Sequence, residues 1–358
     1  MADHWCSESG STPFNGLTPS GSIALSSLYL PLLYGMISAG DTIYIMRNED
    51  DSPLELYLAS VPYIGSTHST SSTSFLTITG CDSDGVVDGK RTKIKHINAT
   101  AIQFGIAANA HYVRFRNLEV DCDDLCGIVI DQSSGVTAGE YPSAYNIYGT
   151  NGDECIHFEG KGARIHNCYA KDMTDYGFSL TGDGTPSISN SVAINCTDDS
   201  SKSNFYVGSS AEAAHMVNCY SEGGSGYGVE LDCDDASVIS CTINNAGEDG
   251  ILNDHEGFIA INNIISNNGG YGIDDNGADD LNVSDFNLYY NNDSGHRDDM
   301  AKGSNDIDDL NPLFTDTANY DASVGSDSPA WRAGTNGDTI GYTRRPHGVI
   351  MGGYEHLS

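Results

Sequence analysis

Basic residues are scarce in this chain of 358 residues, which has 16 Lys and Arg against 50 Asp and Glu. The formal net charge of −34 would repel the phosphate backbone of a nucleic acid and the surface of an anionic bilayer, so neither is an expected partner. Such a surface suits salty water, where charges are screened over about 8 Å or less. The composition therefore favours a marine or halophilic setting.

Long apolar runs are also lacking. No run of about 18 apolar residues is present, so no transmembrane helix is expected. Residues 75–290 show no apolar stripe at helical spacing, which argues against helices in most of the chain. The apolar segment 21–40 follows a polar-rich stretch and has neither a basic segment before it nor a clear cleavage site. We therefore expect a structural cap there rather than an export signal.

A phrase of Gly followed by Ile, Phe or Val recurs through the middle of the chain. It occurs at Gly127, Gly177, Gly228, Gly250 and Gly272, and its last three copies are equally spaced. A second phrase, centred on Asn or Ser, keeps step with it at Asn117, Asn167, Asn190, Asn218, Ser240, Asn262 and Ser284. Fixed periods of about 20 to 50 residues are typical of solenoids.

Each repeat contains short runs in which apolar and polar residues alternate, such as Ile128/Ile130, Phe178/Leu180 and Val229/Leu231. Alternation bounded by turn residues predicts strands. A repeat of about 22 residues is too short for a strand–helix unit with loops but fits two or three strands per turn. The predicted fold class is all-β, a single-stranded right-handed parallel β-helix, with the handedness that parallel crossovers generally prefer.

Both ends of the chain differ from the repeats. Residues 1–45 are predicted to form an N-terminal arm and cap, in which a short helix bent near Pro31 covers the open end of the core. Residues 46–294 form the predicted β-helix, and residues 295–358 an irregular C-terminal cap and tail. Because a solenoid grows by adding coils, this length is compatible with one body.

The ten cysteines show no clean zinc spacing. Cys168, Cys219 and Cys241 lie beside the Asn/Ser phrase, so we expect them to stack inside the β-helix as small apolar residues. In-register Cβ atoms point the same way and suit a disulfide poorly. Free thiols in this number favour folding in a reducing cytoplasm. The Asn and Ser side chains are expected to hydrogen-bond from coil to coil.

Several short segments resemble the pectate-lyase-like right-handed parallel β-helix superfamily, of the kind found in phage virion proteins. They are GDTIY (40–44), DFNLYY (285–290), NPLF (311–314), SDSPA (326–330) and GGYE (352–355), and the resemblance extends over roughly residues 38–356. It implies the fold but no single activity, because the superfamily includes lyases, hydrolases, surface proteins and virion spikes or decorations.

Two outer columns follow if Ile128, Ile130 and their counterparts face inward. One contains Val129, His157, Ser179, Tyr206, Glu230, Leu252 and Asp274, and its neighbour contains Asp131, Glu159, Thr181, Gly208, Asp232, Asp254 and Asn276. The carboxylates of Glu230, Asp232, Asp254 and Asp274 would then lie within one or two strand spacings, about 5–10 Å.

Carboxylates this close raise one another's pKa or recruit a cation such as Ca²⁺. Three interpretations of the four acids stay open: a solvated acidic face, a site that contacts Ca²⁺ or a glycan, and an acid/base pair of the glycoside-hydrolase type. A lyase would need a Lys or Arg base, and the two columns contain neither.

A second candidate site is the segment GDECI at 152–156, which resembles the Gly-Asp-Asp-Cys-Ile motif of the polygalacturonase family. The resemblance implies that Asp153 and Glu154 activate water and protonate the leaving oxygen. The family's other phrases are absent, because Cys126-Gly127-Ile128 stands in place of Asn-Thr-Asp and Tyr176-Gly177-Phe178 in place of Gly-His-Gly. An acidic turn before a strand is enough to explain the segment.

Together these features predict a virion-exposed structural protein of a tailed phage, such as a capsid decoration, fibre or spike subunit. It would be made in the host cytoplasm and displayed on the virion surface. Expected partners are other virion proteins, host-surface polysaccharide and, as in similar spikes, further copies of the chain in a homotrimer. No cofactor is expected other than Ca²⁺ at the acidic cluster. The alternative is a polysaccharide-degrading enzyme, a glycoside hydrolase or lyase, that uses paired carboxylates.

Overall fold

The computed structural model describes residues 3–7, 23–24, 40–50, 52–56, 63–64, 75–96, 105–106, 112–122, 126–130, 141–277 and 282–343. Within these residues the only helical segments are two 3₁₀ turns, Thr317–Asn319 and Thr335–Gly337. No helix in the described part of the chain is long and apolar enough to cross a membrane. The chain divides into two compact units, Met1–Tyr169 (unit 1) and Ala170–Ser358 (unit 2).

The strands of unit 1 pair in parallel. In chain order they are β1 (Asp3–Ser7), β2 (Ile23–Ala24), β3 (Thr42–Met46), β4 (Leu54–Leu56), β5 (Tyr63–Ile64), β6 (Leu76–Cys81), β7 (Thr92–His96), β8 (Gly105–Ile106), β9 (Val113–Asp121), β10 (Ile128–Ile130), β11 (Ser143–Phe158) and β12 (Arg164–His166). Along one sheet, β3, β6, β9, β11 and β12 follow one another in register. Its inward positions are buried at Ile43, Ile78, Phe115, Ala144 and Ile165.

Unit 2 continues with short strands that also pair in parallel, apart from a final hairpin. They are β13 (Tyr169–Leu180), which begins at the last residue of unit 1, β14 (Ser187–Ser189), β15 (Val192–Ile194), β16 (Ser203–Val207), β17 (His215–Val217), β18 (Tyr220–Glu222), β19 (Tyr227–Leu231), β20 (Ser237–Ile239), β21 (Thr242–Asn244), β22 (Ile251–Asn253), β23 (Ile259–Ile261), β24 (Ile264–Ser266), β25 (Tyr271–Asp275), β26 (Val283–Asp285), β27 (Leu288–Tyr290), β28 (Gly295–Asp298), β29 (Ile307–Asp308), β30 (Phe314–Asp316) and β31 (Asp321–Val324).

These strands of unit 2 form three sheets. The first contains the end of β13 with β16, β19, β22, β25 and β28, the second β14, β17, β20, β23 and β26, and the third β15, β18, β21, β24, β27 and β29. Val229 pairs with Ile251 and Ile251 with Ile273, so the repeat spacing read from the sequence is one full coil. Both units are therefore stacks of parallel β coils, and the predicted all-β solenoid class is confirmed.

The repeated glycine marks a close approach between coils. A Cβ atom on Gly250 would lie 2.6 Å from the carbonyl oxygen of Gly272 and 2.8 Å from Cγ2 of Ile265. Gly228 faces the same obstruction from the carbonyl oxygen of Gly250, at 2.6 Å. The phrase therefore repeats because a side chain at this position would collide with the next coil.

The Asn/Ser phrase supplies the bend between the second and third sheets of unit 2. Asn190, Asn218, Ser240 and Asn262 have φ of 50°, 52°, 54° and 60°, the left-handed region that Asn tolerates better than most residues. Asn218 Nδ2 donates to Asn190 Oδ1 at 2.7 Å, as predicted. Ser284 was wrongly assigned to this phrase. It lies in β26, and because this coil is longer than the preceding ones, Phe286 occupies the bend with φ 57°.

The interior of unit 2 includes the predicted stack of cysteines. Cys219 and Cys241 are fully buried, and the Cys219 N–H donates to Cys241 Sγ at 3.3 Å. One coil further the column continues as Asn263 and then Asn287, which are also fully buried and hydrogen-bond each other. The nine cysteines from Cys81 to Cys241 are not joined by disulfides, in agreement with the prediction.

The two ends of the chain are described in part. Apart from the strand Ile23–Ala24 and Gly40, the helical cap predicted at 21–40 lies outside the described residues. Beyond Tyr290, β28 and β29 still pair in parallel with β25 and β27. The tail that follows packs Ala330 and Ile340 against Ile264 and Leu288. The predicted boundaries at 45/46 and 294/295 stay predictions.

Candidate functional site

The acid face is the outer surface of the first sheet of unit 2, defined by Glu230, Asp232, Asp254, Asp274 and Asp298. One column of it runs in register through Tyr206, Glu230, Leu252, Asp274 and Asp298. The inward neighbours Val229, Ile251 and Ile273 are fully buried. Because side chains alternate along a strand, burial of these three places Glu230 and Asp274 outside. The predicted register of this column is confirmed, but Val129, Ser179 and Leu252, which were expected to face solvent, are buried.

The second column begins where the strands end. Asp232 and Asp254 follow β19 and β22 and donate their backbone N–H groups to the preceding coil, at 2.8 Å and 3.1 Å. Asn276 occupies the next coil, and its Nδ2 donates to Asp254 Oδ1 at 3.0 Å. Asp254 is an exposed carboxylate whose position is fixed by a neighbouring amide.

Glu230 has the most unusual environment on the acid face. Its Oε2 atom is buried and forms no hydrogen bond of good geometry among the described residues, and the nearby Ser203 hydroxyl is likewise buried without one. Burial raises the pKa of Glu230 to about 7, the Ser203 hydroxyl opposes this rise, and the Asp254 and Asp232 carboxylates add to it. A buried acid favours its neutral form because the charged form loses solvation. Glu230 is therefore partly protonated at neutral pH.

Asp274 lies two coils from Glu230, with Leu252 between them. Adjacent parallel strands are about 4.8 Å apart, so the two backbones are separated by roughly 10 Å. Burial raises the pKa of Asp274 to about 6, with further contributions from Asp249 and Asp298. The structure thus brings the four predicted acids onto one face, with Asp274 at its far end.

His255 belongs to the same face and was missed by the sequence reasoning. Its Nε2 lies 2.7 Å from Asp232 Oδ1 and its Nδ1 lies 3.1 Å from Asp234 Oδ1. Burial by itself would lower the pKa of His255, but the two carboxylates outweigh it and the pKa is raised. Asp232 is therefore hydrogen-bonded to His255, which leaves Glu230 beside Asp254. The available signal was the position of His255, one coil after Asp232 and Asp234.

Aromatic rings border the acid face. Tyr206, one coil before Glu230, stacks on Tyr176 with ring centroids 4.9 Å apart, and Lys202 Nζ lies 4.7 Å from the Tyr176 centroid. Burial raises the pKa of Tyr206 to about 12, with Glu230 adding to the rise. Tyrosine faces next to carboxylates form a surface on which a sugar ring can stack while its hydroxyls bond to acids.

Asp153 and Glu154 lie in unit 1, near the end of β11. Glu154 is buried, and its Oε2 lies 2.9 Å from His157 Nδ1, within ion-pair distance but without hydrogen-bond geometry. His157 Nε2 also lies 3.4 Å from Glu159 Oε1. Burial would lower the pKa of His157, yet both carboxylates raise it and the net shift is upward. Glu154 is thus held by His157, whereas Asp153 is half-buried, and their catalytic roles stay a prediction.

Among the residues that the structure describes, no group of three or more His, Cys, Asp or Glu side chains is arranged to hold a metal ion. The short-range partners of the acid face are instead His255 and Asn276.

A family model described as "Right handed beta helix region" matches residues 100–288 of the chain, more than half of its length. The chain belongs to this right-handed β-helix family. No curated protein matches it closely enough to add a relative.

Several solved structures share the fold of this β-helix. A rhamnogalacturonan lyase has a TM-score of 0.59 at 13% identity, with 92% of this chain and 96% of that chain covered. The pectate lyase Pel9A has a TM-score of 0.55 at 13% identity, with 96% of both chains covered. The GH136 lacto-N-biosidase from Eubacterium ramulus has a TM-score of 0.54 at 11% identity, with 87% of this chain and 68% of that chain covered. At these identities the likeness establishes the fold alone.

Proposed function

We propose that this β-helix hydrolyses a polysaccharide at the acid face of unit 2, with Glu230 as the proton donor and Asp254 as the base. The observation that carries the proposal is the contrast between these two neighbours. Glu230 has a buried oxygen without a hydrogen bond of good geometry and a pKa near 7, whereas Asp254 is exposed and accepts a hydrogen bond from Asn276. A buried carboxyl group with a raised pKa, next to an exposed carboxylate, is a usual basis for assigning the buried group as the acid.

The proposed step is the hydrolysis of a glycosidic bond by one water molecule. Glu230 gives its proton to the glycosidic oxygen as the bond to the anomeric carbon breaks. Asp254 takes a proton from the water that attacks that carbon, so one water is consumed for each bond cleaved. The two protons are then re-equilibrated through solvent, which returns Glu230 to its acid form.

Charge supports a neutral polymer as the substrate. The acid face would repel a polyuronate, and none of the five residues in its first column is Lys or Arg. The solved structures of similar fold include two lyases and a lacto-N-biosidase, which supports a carbohydrate as the ligand. Tyr206 and Tyr176 would supply the stacking surface.

The test is reducing-end release from a panel of neutral polysaccharides by the full chain, comparing Glu230→Gln and Asp254→Asn with wild type. Loss of a general acid or base lowers turnover by about 10²–10⁴-fold. Glu212→Gln and Asp293→Asn are matched controls, because both residues are exposed acids outside the acid face. Activity of wild type and controls with loss in both site variants supports the proposal. Full turnover in Glu230→Gln, or no turnover by wild type on any polymer, contradicts it.

A second proposal concerns the setting, namely display on the surface of a tailed-phage particle beside other virion proteins, as a homotrimer that contacts host polysaccharide. The free, buried thiols and the highly acidic composition support it, since such a chain can fold in a reducing cytoplasm and then work in salt. Density-gradient separation of an infected lysate, followed by mass spectrometry, tests it. Co-banding with DNA-filled particles supports a virion role, and recovery only from the soluble fraction contradicts it.

Calcium is a further proposal, because clustered carboxylates attract a hard cation that takes oxygen ligands. A shift in the melting midpoint of the full chain on adding millimolar CaCl₂, absent with Glu230→Gln, would support it. The same midpoint with CaCl₂ and with NaCl of equal ionic strength would rule it out.

A further inference from the structure

Unit 1 has an outer surface that is basic and aromatic, in a protein that is otherwise strongly acidic. On the sheet formed by β6, β9, β11 and β12, one outward row in register is Thr77, Arg114, Ser143 and Arg164. The neighbouring row is Thr79, Arg116, Tyr145 and His166. Neither row contains an acidic residue. We call this surface the arginine face.

Among the described residues, no acidic side chain forms an ion pair with the three arginines of this face. Elsewhere, Arg47 pairs with Asp88 at 2.8 Å, and Arg297 pairs with Asp308 at 2.8 Å. No such ion pair is found for Arg114, Arg116 or Arg164 in the described ranges, although the chain has 50 acidic residues. Burial, with a contribution from Arg116, lowers the pKa of Arg114. Clustered, uncompensated guanidinium groups imply a ligand that brings the negative charge.

The aromatic rings of this face are stacked among the arginines. Arg114 lies over the Phe75 ring with its Cζ atom 3.3 Å from the centroid, and Tyr112 stacks on Tyr141 at 5.1 Å. Tyr145 stacks on His166 at 5.3 Å and keeps 41% of its surface exposed. Such rings provide flat apolar area next to fixed positive charge.

A groove runs between these side chains, with a volume of about 340 Å³. Phe75, Tyr112, Arg114, Tyr141, Ser143 and Arg164 line it, and all six belong to unit 1. Two guanidinium groups and a hydroxyl from three adjacent strands therefore open onto the same space. Three separate donors match the three free oxygens of a sulfate ester better than the two coplanar oxygens of a carboxylate, which suit one guanidinium fork.

We propose that the arginine face binds a sulfated polysaccharide, whose sulfate esters pair with Arg114, Arg116 and Arg164 while its sugar rings lie on Tyr145 and the Tyr112–Tyr141 stack. Unit 1 still carries 19 of the 50 acidic residues against nine of the 16 basic ones. That balance disfavours a continuous phosphate backbone, which carries one charge per about 1.7 Å of duplex. A polymer with separated charges and apolar ring faces matches the alternation of guanidinium groups and aromatic rings. This proposal does not rest on the hydrolysis proposed for the acid face.

The experiment measures binding of the full chain to dextran sulfate in 0.1 M NaCl, with unsulfated dextran, polygalacturonate and oligo-dT as comparison polymers. Variants are Arg114→Gln, Arg164→Gln, their double and Tyr145→Ala. Arg332→Gln is the matched control, because it changes the net charge equally from an exposed position in unit 2. Each variant is checked for an unchanged thermal midpoint, and Arg116→Gln, also exposed, replaces any variant that does not fold.

We expect dextran sulfate alone to bind, with Kd weakened about tenfold by each Arg→Gln change, more in the double variant, and severalfold by Tyr145→Ala. Binding should weaken steeply as NaCl rises to 0.5 M, and Arg332→Gln should bind like wild type. No binding of dextran sulfate, or equal loss in Arg332→Gln, overturns the proposal. Polygalacturonate bound as tightly overturns the sulfate assignment, and oligo-dT bound as tightly replaces the glycan with single-stranded nucleic acid.

Discussion

At the scale of single residues, the protein places polar groups inside a stack of coils in two different ways. Asn263 is fully buried, and every polar atom of its side chain is bonded to a neighbouring coil. Its Nδ2 donates to Val238 O at 2.8 Å and to Asn287 Oδ1 at 3.0 Å, and its Oδ1 accepts the Cys241 N–H at 2.8 Å. Glu230, by contrast, keeps a buried oxygen that forms no hydrogen bond of good geometry among the described residues. The first arrangement stabilises the fold. The second lowers the stability of the folded protein, and such unfavourable arrangements are found mainly at functional sites.

The raised pKa of Glu230 predicts how the stability of the protein depends on pH. The folded-state pKa of Glu230 is raised from 4.5 to about 7, so the folded protein binds this proton more tightly than the unfolded chain does. Stability from this group is present below pH 4.5 and is lost as pH rises towards 7.

Glu230→Gln, which cannot ionise, should therefore melt at the same temperature as wild type at pH 4 and at a higher temperature at pH 8. The difference should be on the order of 1 kcal/mol after solvent screening, or a few °C. Thermal melts of both proteins across this pH range check it, with the exposed Glu212→Gln as control. A difference that is constant with pH would contradict the assigned cause.

The buried asparagine column predicts a large cost for a small truncation. Asn263→Ala leaves the Cys241 N–H without its acceptor in the core and removes the donor to Val238 O, at about 1–3 kcal/mol for each group. The urea midpoint should fall clearly below that of wild type. Asn305→Ala, which removes an exposed amide bonded to Asp285, should leave the midpoint nearly unchanged. Equal midpoints for the two variants would show that the column is not stabilising.

At the scale of the structural element, the repeated Gly-Ile strand start is explained by the distance between coils. Gly250→Ala would press its Cβ against the carbonyl oxygen of Gly272 and against Ile265, and overpacking of this kind costs about 1–3 kcal/mol. Gly325→Ala is the matched control, because a Cβ there meets nothing within 4 Å. Urea unfolding of the two variants should show a lowered midpoint for Gly250→Ala alone. A midpoint unchanged in both variants would mean that the coils separate at little cost.

The same elements show what the sequence can and cannot predict. Coils between Gly228 and Gly272 have one length, so counting residues placed Glu230, Leu252 and Asp274 in the register that the structure has. The coil that ends at Phe286 is longer, so the same count wrongly assigned Ser284 instead of Phe286 to the bend. His255 escaped prediction because its contact with Asp232 depends on how the imidazole turns back to the preceding coil, which spacing does not encode.

The arginine face could not be predicted from the sequence either, for a different reason. Arg114 pairs with Ser143 and Ser143 with Arg164, and the second interval along the chain is shorter than the first. No constant offset relates these positions, so nothing in the sequence aligned them. Only the pairing of β9, β11 and β12 brings the arginines into adjacent rows.

At the scale of the whole molecule, charge is distributed unevenly along the chain. Unit 2 carries 31 of the 50 acidic residues and seven of the 16 basic ones. Repulsion among like charges weakens a compact state, and salt screens it over about 3 Å at 1 M against about 10 Å at 0.1 M.

The melting midpoint of wild type should therefore rise by several °C as NaCl is increased from 0.05 to 1 M. Differential scanning calorimetry measures this rise, and sucrose at matched osmolality is the control for effects other than screening. A flat or falling midpoint would mean that the ion pairs of the protein, which salt weakens, outweigh its net repulsion.

The free cysteines allow the unfolding of the protein to be followed at several positions. Eight of the nine described thiols are buried, and they occur at intervals from Cys81 to Cys241. A thiol-reactive label can reach each of them only when its own coil opens. Protein is labelled for increasing times in mild denaturant. Mass spectrometry would then give the labelling rate of each cysteine, and therefore the rate at which its coil opens. The order in which the cysteines of each unit become labelled would show where unfolding of that unit begins, without any introduced probe.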